Sequence, residues 1–256
     1  MGELLRSWRQ RRNISQPELS SGSAVSSRHL SFIETGRSKP SREMLVYLSE
    51  QLEIPLRDRN QLLLAAGYAP VYGEHQLDDE EMAPVRAALD RFLRAHEPFP
   101  AVVIDRRWNL VAANGPVELL TEGAAAELLA PPANALRLTL HPEGMAPRIA
   151  NLAEWSGHLL QRLRRQAAVT GDAELEQLHD ELADYPGVVA DPVRVEHADA
   201  DIVLPLRLRA GDGELAFFST VSTFGTAVDV TLAELSIEAF YPADDATAAV
   251  LLRGAG

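Results

Sequence analysis

Residues 16–39 read QPELSSGSAVSSRHLSFIETGRSK, and no other stretch constrains the fold as tightly. Ser15 is a good N-cap, and Pro17 falls in the first turn of the helix that follows, where its missing N–H costs little. That helix is short, running from Gln16 to about Ser21, because Gly22, Ser23 and Ala24 break it. Ser26 caps the next helix, whose apolar side is Leu30 and Ile33, and Gly36 stops it. Upstream, Leu4, Leu5 and Trp8 make one face of an earlier helix that ends at Asn13. Downstream, Pro40 and Ser41 open a helix with Leu45, Leu48 and Leu52 inward, and a fifth covers about Arg57 to Ala66. Five short helices with a three-residue turn between the second and third describe a helix-turn-helix domain.

Charge gives that domain a partner. The chain carries a net −13, yet residues 1–42 hold eight basic groups against three acids, a net of +5. Such asymmetry points to one small part meeting a polyanion while the remainder avoids it. The N-terminal end of a recognition helix enters the major groove of DNA, and here it offers Ser26, Ser27, Arg28 and His29. An arginine there can reach guanine O6 and N7 together, worth ~1–3 kcal/mol of discrimination. Arg37 and Lys39 follow as phosphate contacts that set the register. The expected partner is therefore a double-stranded DNA operator. Two copies of the chain are expected, since heads about 34–36 Å apart match successive major grooves. His29 reads two ways, donating to a base or phosphate, or packing against the neighbouring helix.

The motif SQPEL…VSSRHLSFIETGRSKPSREM resembles the DNA-binding domain of the Xre (lambda-repressor/Cro-like) regulators. The resemblance implies that Gln16 contacts phosphate and that Ser27 and Arg28 face bases, with Phe32 one turn on. It also implies that the loop after the third helix touches the backbone through Thr35, Arg37 and Lys39, and that Arg9 pairs with Glu34. Ser20 and Ala24 stand where that family usually has alanine and glycine.

The stretch GYAPVYGEHQLDDEEMAP mixes Gly, Pro and acids, which places a connection at 71–84 between a domain at 1–70 and another at 85–256. The second domain reads as strands at Val102–Asp105 and Trp108–Ala113, then helices at about Pro147–Thr170 and Asp172–Asp184. Asn114 reads as the cap of a short helix carrying Leu119 and Leu120. Strands return at ADIVLPLRLRA, turn through Gly211, Asp212 and Gly213 into ELAFFSTVSTF, and end with about Leu235–Tyr241 before a last helix. The chain is thus expected to be α+β, a helical head followed by one antiparallel sheet with helices against a face, in the strand order of a PAS-like sensor.

DRRWNLVAAN, LHPEG, FFSTVSTFGT, DVTL and FYPADDATA resemble the ligand-binding half of MmyB-like transcription regulators. That resemblance implies a PAS-like domain with a cavity for a small apolar, fatty-acid-like molecule, and no other cofactor. Trp108, Leu110, Trp155, Phe217 and Phe224 are the expected lining, although aromatic and aliphatic residues at these spacings equally make an ordinary core. Asn114, His141 and Arg148 are the candidate donors for a ligand's polar end. The competing reading is a DNA-binding protein whose larger domain is a dimerisation or partner-docking scaffold with no effector.

An enzyme is not expected. The seven histidines have no metal-ligand spacing. Neither a nucleophile elbow nor a phosphate-cradling glycine loop occurs, and His141 with Glu143 reads as a turn. No cysteine is available for a disulfide or thiolate site, and no apolar run approaches the ~18 residues of a membrane span. The start, MGELLRSWRQRR, has no signal-peptide core, so a cytoplasmic location is expected.

Overall fold

The computed structural model describes residues 1–21, 25–190, 203–211 and 213–253. By contacts these form two compact units. The first comprises Met1–Gln76 with residues 168–170 and 226–233, and the second comprises the rest.

Five helices build the body of the first unit: α1 (Gly2–Arg11), α2 (Gln16–Ser21), α3 (Ser27–Glu34), α4 (Arg42–Gln51) and α5 (Leu56–Ala65). Their boundaries follow local chemistry. The Ser15 hydroxyl accepts from Glu18 N–H while the Glu18 carboxylate accepts from Ser15 N–H at 2.7 Å, a reciprocal capping box. Ser26 caps α3 by accepting from His29 N–H, and Ser41 caps α4 by accepting from Met44 N–H. At the end of α3, Gly36 takes the left-handed φ of 73° that a side chain disfavours. Its N–H bonds the Ile33 carbonyl while Arg37 N–H reaches back to Phe32, which together close a Schellman motif. Leu5, Trp8, Leu19, Leu30, Ile33 and Leu48 meet in one core. The expected turn residues Gly22, Ser23 and Ala24 lie outside the described residues.

The second unit opens with a 3-10 turn (Glu80–Met82) and α6 (Ala83–His96), then β1 (Ala101–Ile104) and β2 (Leu110–Ala113). The strands are joined by Asp105–Asn109, where the Asp105 carboxylate accepts from the N–H groups of Arg107 and Asn109. Trp108 belongs to this turn rather than to β2, because its φ of +67° is not a strand conformation. Short helices follow: α7 (Val117–Thr121), α8 (Ala126–Leu129) and α9 (Ala135–Leu140). A 3-10 turn (Ala146–Arg148) precedes α10 (Leu152–Thr170) and α11 (Ala173–Ala183).

The expected helix from Pro147 is interrupted for a physical reason. Ile149 bridges to Leu208, and Ala150 N–H bonds the Arg207 carbonyl, so this backbone serves the sheet before α10 begins.

The sheet is completed by β3 (Leu206–Ala210), β4 (Gly213–Thr223) and β5 (Ser236–Pro242). The expected strand began earlier; Pro205 has no N–H to give the ladder, and residues 200–202 and Asp212 of the hairpin turn lie outside the described residues. All pairings are antiparallel, in the order β2-β1-β5-β4-β3. Between β4 and β5, Thr226–Ala233 with α12 (Val230–Ala233) is counted in the first unit, and α13 (Asp245–Arg253) closes the chain. Leu206 and Leu208 are buried while Arg207 and Arg209 are exposed, so one face of the sheet meets the helices. The architecture is α+β, one unit a helix-turn-helix and the other a PAS-like sheet with helices. Among the described residues, no helix is long and apolar enough to cross a membrane.

Candidate nucleic-acid interface and apolar cavity

The polar skeleton of the first unit centres on Glu34, which is 5% exposed. Arg9 grips it with two parallel bonds, Nε to Oε1 at 2.7 Å and Nη2 to Oε2 at 2.9 Å, the strong bidentate geometry. Arg9 also donates to the Ile14 carbonyl. Burial by itself would raise the Glu34 carboxyl. The bonds from Arg9 and Gln16 and the charges of Arg9 and Arg6 reverse that and hold it below the usual carboxylate range. The ion pair implied by the family resemblance is therefore formed, and the one acid of α3 is taken out of the surface field.

Gln16 stands at the start of α2 and donates from Nε2 to Glu34 at 2.8 Å. Its NH2 has two hydrogens, so that bond aims the carboxamide while using one of them. Arg28 is exposed on the first turn of α3, with its guanidinium 5.6 Å from the Phe32 ring centroid, a cation–π rest that limits its freedom. Ser27 is half-buried beside it. His29 is half-buried, and its Nε2 meets the hydroxyl of Ser38 in the loop after α3 at 3.3 Å. Ser26 spends its oxygen on the helix cap, and the Thr35 hydroxyl donates to the Ser31 carbonyl.

Arg37 is exposed in the loop after α3, and Lys39 is exposed with its ammonium 4.9 Å from the Tyr68 ring centroid. Arg42, exposed at the start of α4, is a further cation on this stretch that motif matching passed over; its only sequence signal was its charge. Among the described residues, none of these cations pairs with a carboxylate. Exposed cations without anionic partners, beside the start of α3, are what phosphate and base-edge contacts require.

In the second unit, a cavity of about 70 Å³ lies between the sheet and the helices. Val102 and Ile104 of β1, Leu206 of β3, and Glu238 and Phe240 of β5 form the sheet wall. Leu120 of α7, Leu136 and Leu138 of α9, Met145, and Trp155 and Leu159 of α10 form the helical wall. Trp108 of the β1–β2 connection and Leu110 of β2 complete the lining. The motif residues around it have physical duties. Trp108 is held by its indole N–H bond to Gln166 at 2.9 Å, and a side chain added at Gly144 would strike the Leu138 carbonyl at 2.2 Å.

Three expected lining residues, Trp108, Leu110 and Trp155, are in the wall, and two are not. Phe217 is fully buried in the surrounding core without reaching the cavity, although its cross-strand partner Leu206 does. Phe224 lies past the end of β4, half-exposed.

None of the candidate head-group donors Asn114, His141 and Arg148 lines this cavity, and each bonds the backbone. The Asn114 carboxamide accepts from Ala101 N–H and donates to the Leu93 and Phe99 carbonyls, so it clamps α6 to the sheet instead of capping α7. Arg148 donates to the carbonyls of Leu119, Leu120 and Glu122, satisfying the C-terminal end of α7. His141 accepts from Glu143 N–H and sets its ring edge-on to Tyr185.

The charged group that does line the cavity, Glu238, was missed. It is 6% exposed, held by the Ser219 hydroxyl at 2.9 Å and by Arg162 at 3.2 Å. The signal was present in SIEAFYP, where period-2 alternation puts an acid on the same strand face as Phe240. Among the described residues, no three His, Cys, Asp or Glu side chains gather as metal ligands.

Comparison with known families agrees with both halves of this geometry. Residues 1–62 match a helix-turn-helix domain, and residues 85–253 match the ligand binding domain of MmyB-like transcription regulators. No curated protein matches the chain. A DNA-reading head and a ligand-sensing domain occur in one polypeptide, and the chain belongs to the MmyB-like transcription regulators.

Proposed function

We propose that this protein is a dimeric, ligand-responsive regulator that reads an operator through α3 and takes a small apolar, acyl-chain-like molecule in the cavity of its second unit. The observation that carries the reading is the pairing of two features in one chain: unpaired cations at the start of α3 and after it, and an apolar cavity between sheet and helices. Arg28 and Ser27 read base edges, while Gln16, Arg37, Lys39 and Arg42 hold phosphates. The cavity of about 70 Å³ is less than half of a ~150 Å³ space that accommodates benzene. An acyl chain therefore enters by displacing the short helices α7 and α9, and that rearrangement is the switch. No catalytic role is assigned; His141 and Glu143 form a turn.

The small cavity also favours a second reading, in which the same residues are simply core and the sheet domain is a scaffold. The two are separated by native mass spectrometry with solvent extraction of the purified protein, followed by operator titration with and without the extracted compound. The regulator reading expects a discrete apolar mass and a shift in operator affinity, and filling the cavity with Ala135→Leu should abolish both while leaving basal operator binding intact. A bare protein whose operator affinity responds to no apolar compound would leave the scaffold reading.

A further inference from the structure

The segment between β4 and β5 is bonded into the first unit, although both of its flanking strands belong to the second. Val230 N–H donates to the Gly73 carbonyl at 2.8 Å, beside a parallel bridge between Gly73 and Asp229. One Asp229 carboxylate oxygen accepts from His75 N–H at 3.3 Å and meets the His75 ring Nδ1 at 2.8 Å. The Thr231 hydroxyl donates to the His75 carbonyl at 2.7 Å, and Val230 is fully buried. The same strap of chain is fixed to α5 by buried Asn60, which accepts from the N–H groups of Val71 and Tyr72 and donates to the Tyr72 carbonyl. At its start, the Tyr68 hydroxyl donates to the Pro40 carbonyl at 2.9 Å, and the Lys39 ammonium lies 4.9 Å from the Tyr68 ring centroid. All of these contacts lie inside the first unit. The expected connection that begins at residue 71 is thus, as far as Gln76, a built part of the head.

We propose that residues 226–233 are the relay through which the cavity sets the phosphate-contacting loop after α3, with residues 68–75 as the strap that passes the movement to Pro40 and Lys39. This rests on the reading of the cavity as the effector site. Only Glu234 and Leu235 separate Ala233 from Ser236 at the start of β5, and only Phe224 and Gly225 separate Thr226 from Thr223 at the end of β4. Joins that short leave little slack, so a shift of β5 pulls on the segment. Glu238 and Phe240 of β5 stand in the cavity wall. An occupant that presses on β5 therefore displaces Asp229 and Val230, and with them Gly73 and His75. Each further link, through Asn60 and then Tyr68, is a bonded contact to backbone, and contiguous contacts of this kind transmit coupling between sites.

The test titrates dodecanoate and 1-dodecanol, each below its aggregation limit, into the full chain and measures affinity for a labelled random-sequence duplex at saturation. No operator need be known, because phosphate contacts act on any sequence. Trp108 and Trp155 stand in the wall, so their indole signals in NMR report occupancy directly. In the native chain, occupancy should change duplex affinity about fivefold or more and move the amide signals of Arg37 and Lys39. Asp229→Ala cuts the segment from the strap, and Tyr68→Phe cuts the strap from Pro40. In both, the indole signals should still move while the change in duplex affinity shrinks toward none. Because Asp229 also accepts from Leu232 N–H at the start of α12, Thr231→Val serves as its companion; it removes only the bond to His75 and should give an intermediate response. Occupancy that leaves duplex affinity unchanged, or a change of the same size in the native chain and the variants, would overturn the relay while leaving the cavity reading in place. If neither compound moves an indole signal, the cavity reading fails and takes this proposal with it.

Discussion

Each unit buries one glutamate against an arginine, and the two sites are used differently. Glu34 takes three donors, two from a bidentate guanidinium and one from a glutamine. Glu238 has one arginine bond at 3.2 Å, one serine bond and a cavity beside it. The first arrangement rivets α1, α2 and α3 together, which holds the cationic start of α3 at a fixed angle. The second stands in the wall of an apolar cavity, with one donor on each carboxylate oxygen. The same residue pair can therefore brace three helices or line a cavity, and the difference lies in how many donors the fold brings to the carboxylate and what packs beside it.

The largest effect that would break this contrast is on stability. Glu34→Ala strands the Arg9 guanidinium in the core, and removing one partner of a buried pair costs about 3–5 kcal/mol. Glu238→Ala should cost less, roughly 1–3 kcal/mol, since the Arg162 side chain is a quarter exposed and can turn to water. Urea unfolding of both variants checks the order; a Glu238 variant losing more than the Glu34 variant would remove the distinction drawn here.

Next in size is the reading of DNA. Arg28→Ala should cost about 1–3 kcal/mol at the true operator and far less on random DNA. Unchanged site preference would mean that α3 enters the groove by another face. Arg37→Ala should weaken both targets alike and reduce the salt slope by about one, as measured by titrations at several salt concentrations.

The smallest effect concerns pH and sharpens the role of Glu34. Its carboxyl is held below its unfolded value of about 4.3. The unfolded chain then binds the proton more readily, so stability rises with pH in that window. The contribution of Glu34 should be fully present above about pH 4.3 and be lost as pH falls through the folded pKa. The stability gap between the native protein and Glu34→Gln, followed by urea midpoints from pH 6 to 3, should be constant above that value and close below it.

How much of this was legible depended on the range of the interaction. The caps Ser15, Ser26 and Ser41 and the stop at Gly36 act within about one helical turn, so residue types a few positions apart announced them. The cationic stretch was legible because charge sums along the chain. The head-group candidates stand away from the cavity for the opposite reason. Asn114, His141 and Arg148 have the right donor chemistry, but donors go to whichever acceptors are near, and those were backbone groups brought in by packing. Phe217 and Leu206 share a cross-strand pair, yet only Leu206 borders the cavity, a distinction that alternation along a strand cannot make.

The sequence by itself determined the helical head, its cationic surface, the α+β order of elements and the family, because caps, turn residues, periodicity and charge are local or additive properties. Only the tertiary structure decided that Asn114 and Arg148 are braces, that Glu34 is held by Arg9 and Gln16, and that Glu238 stands in the cavity wall. Those outcomes rest on which buried polar atoms find partners across tens of residues, and burial, unlike propensity, belongs to the folded assembly of elements and not to any stretch of chain.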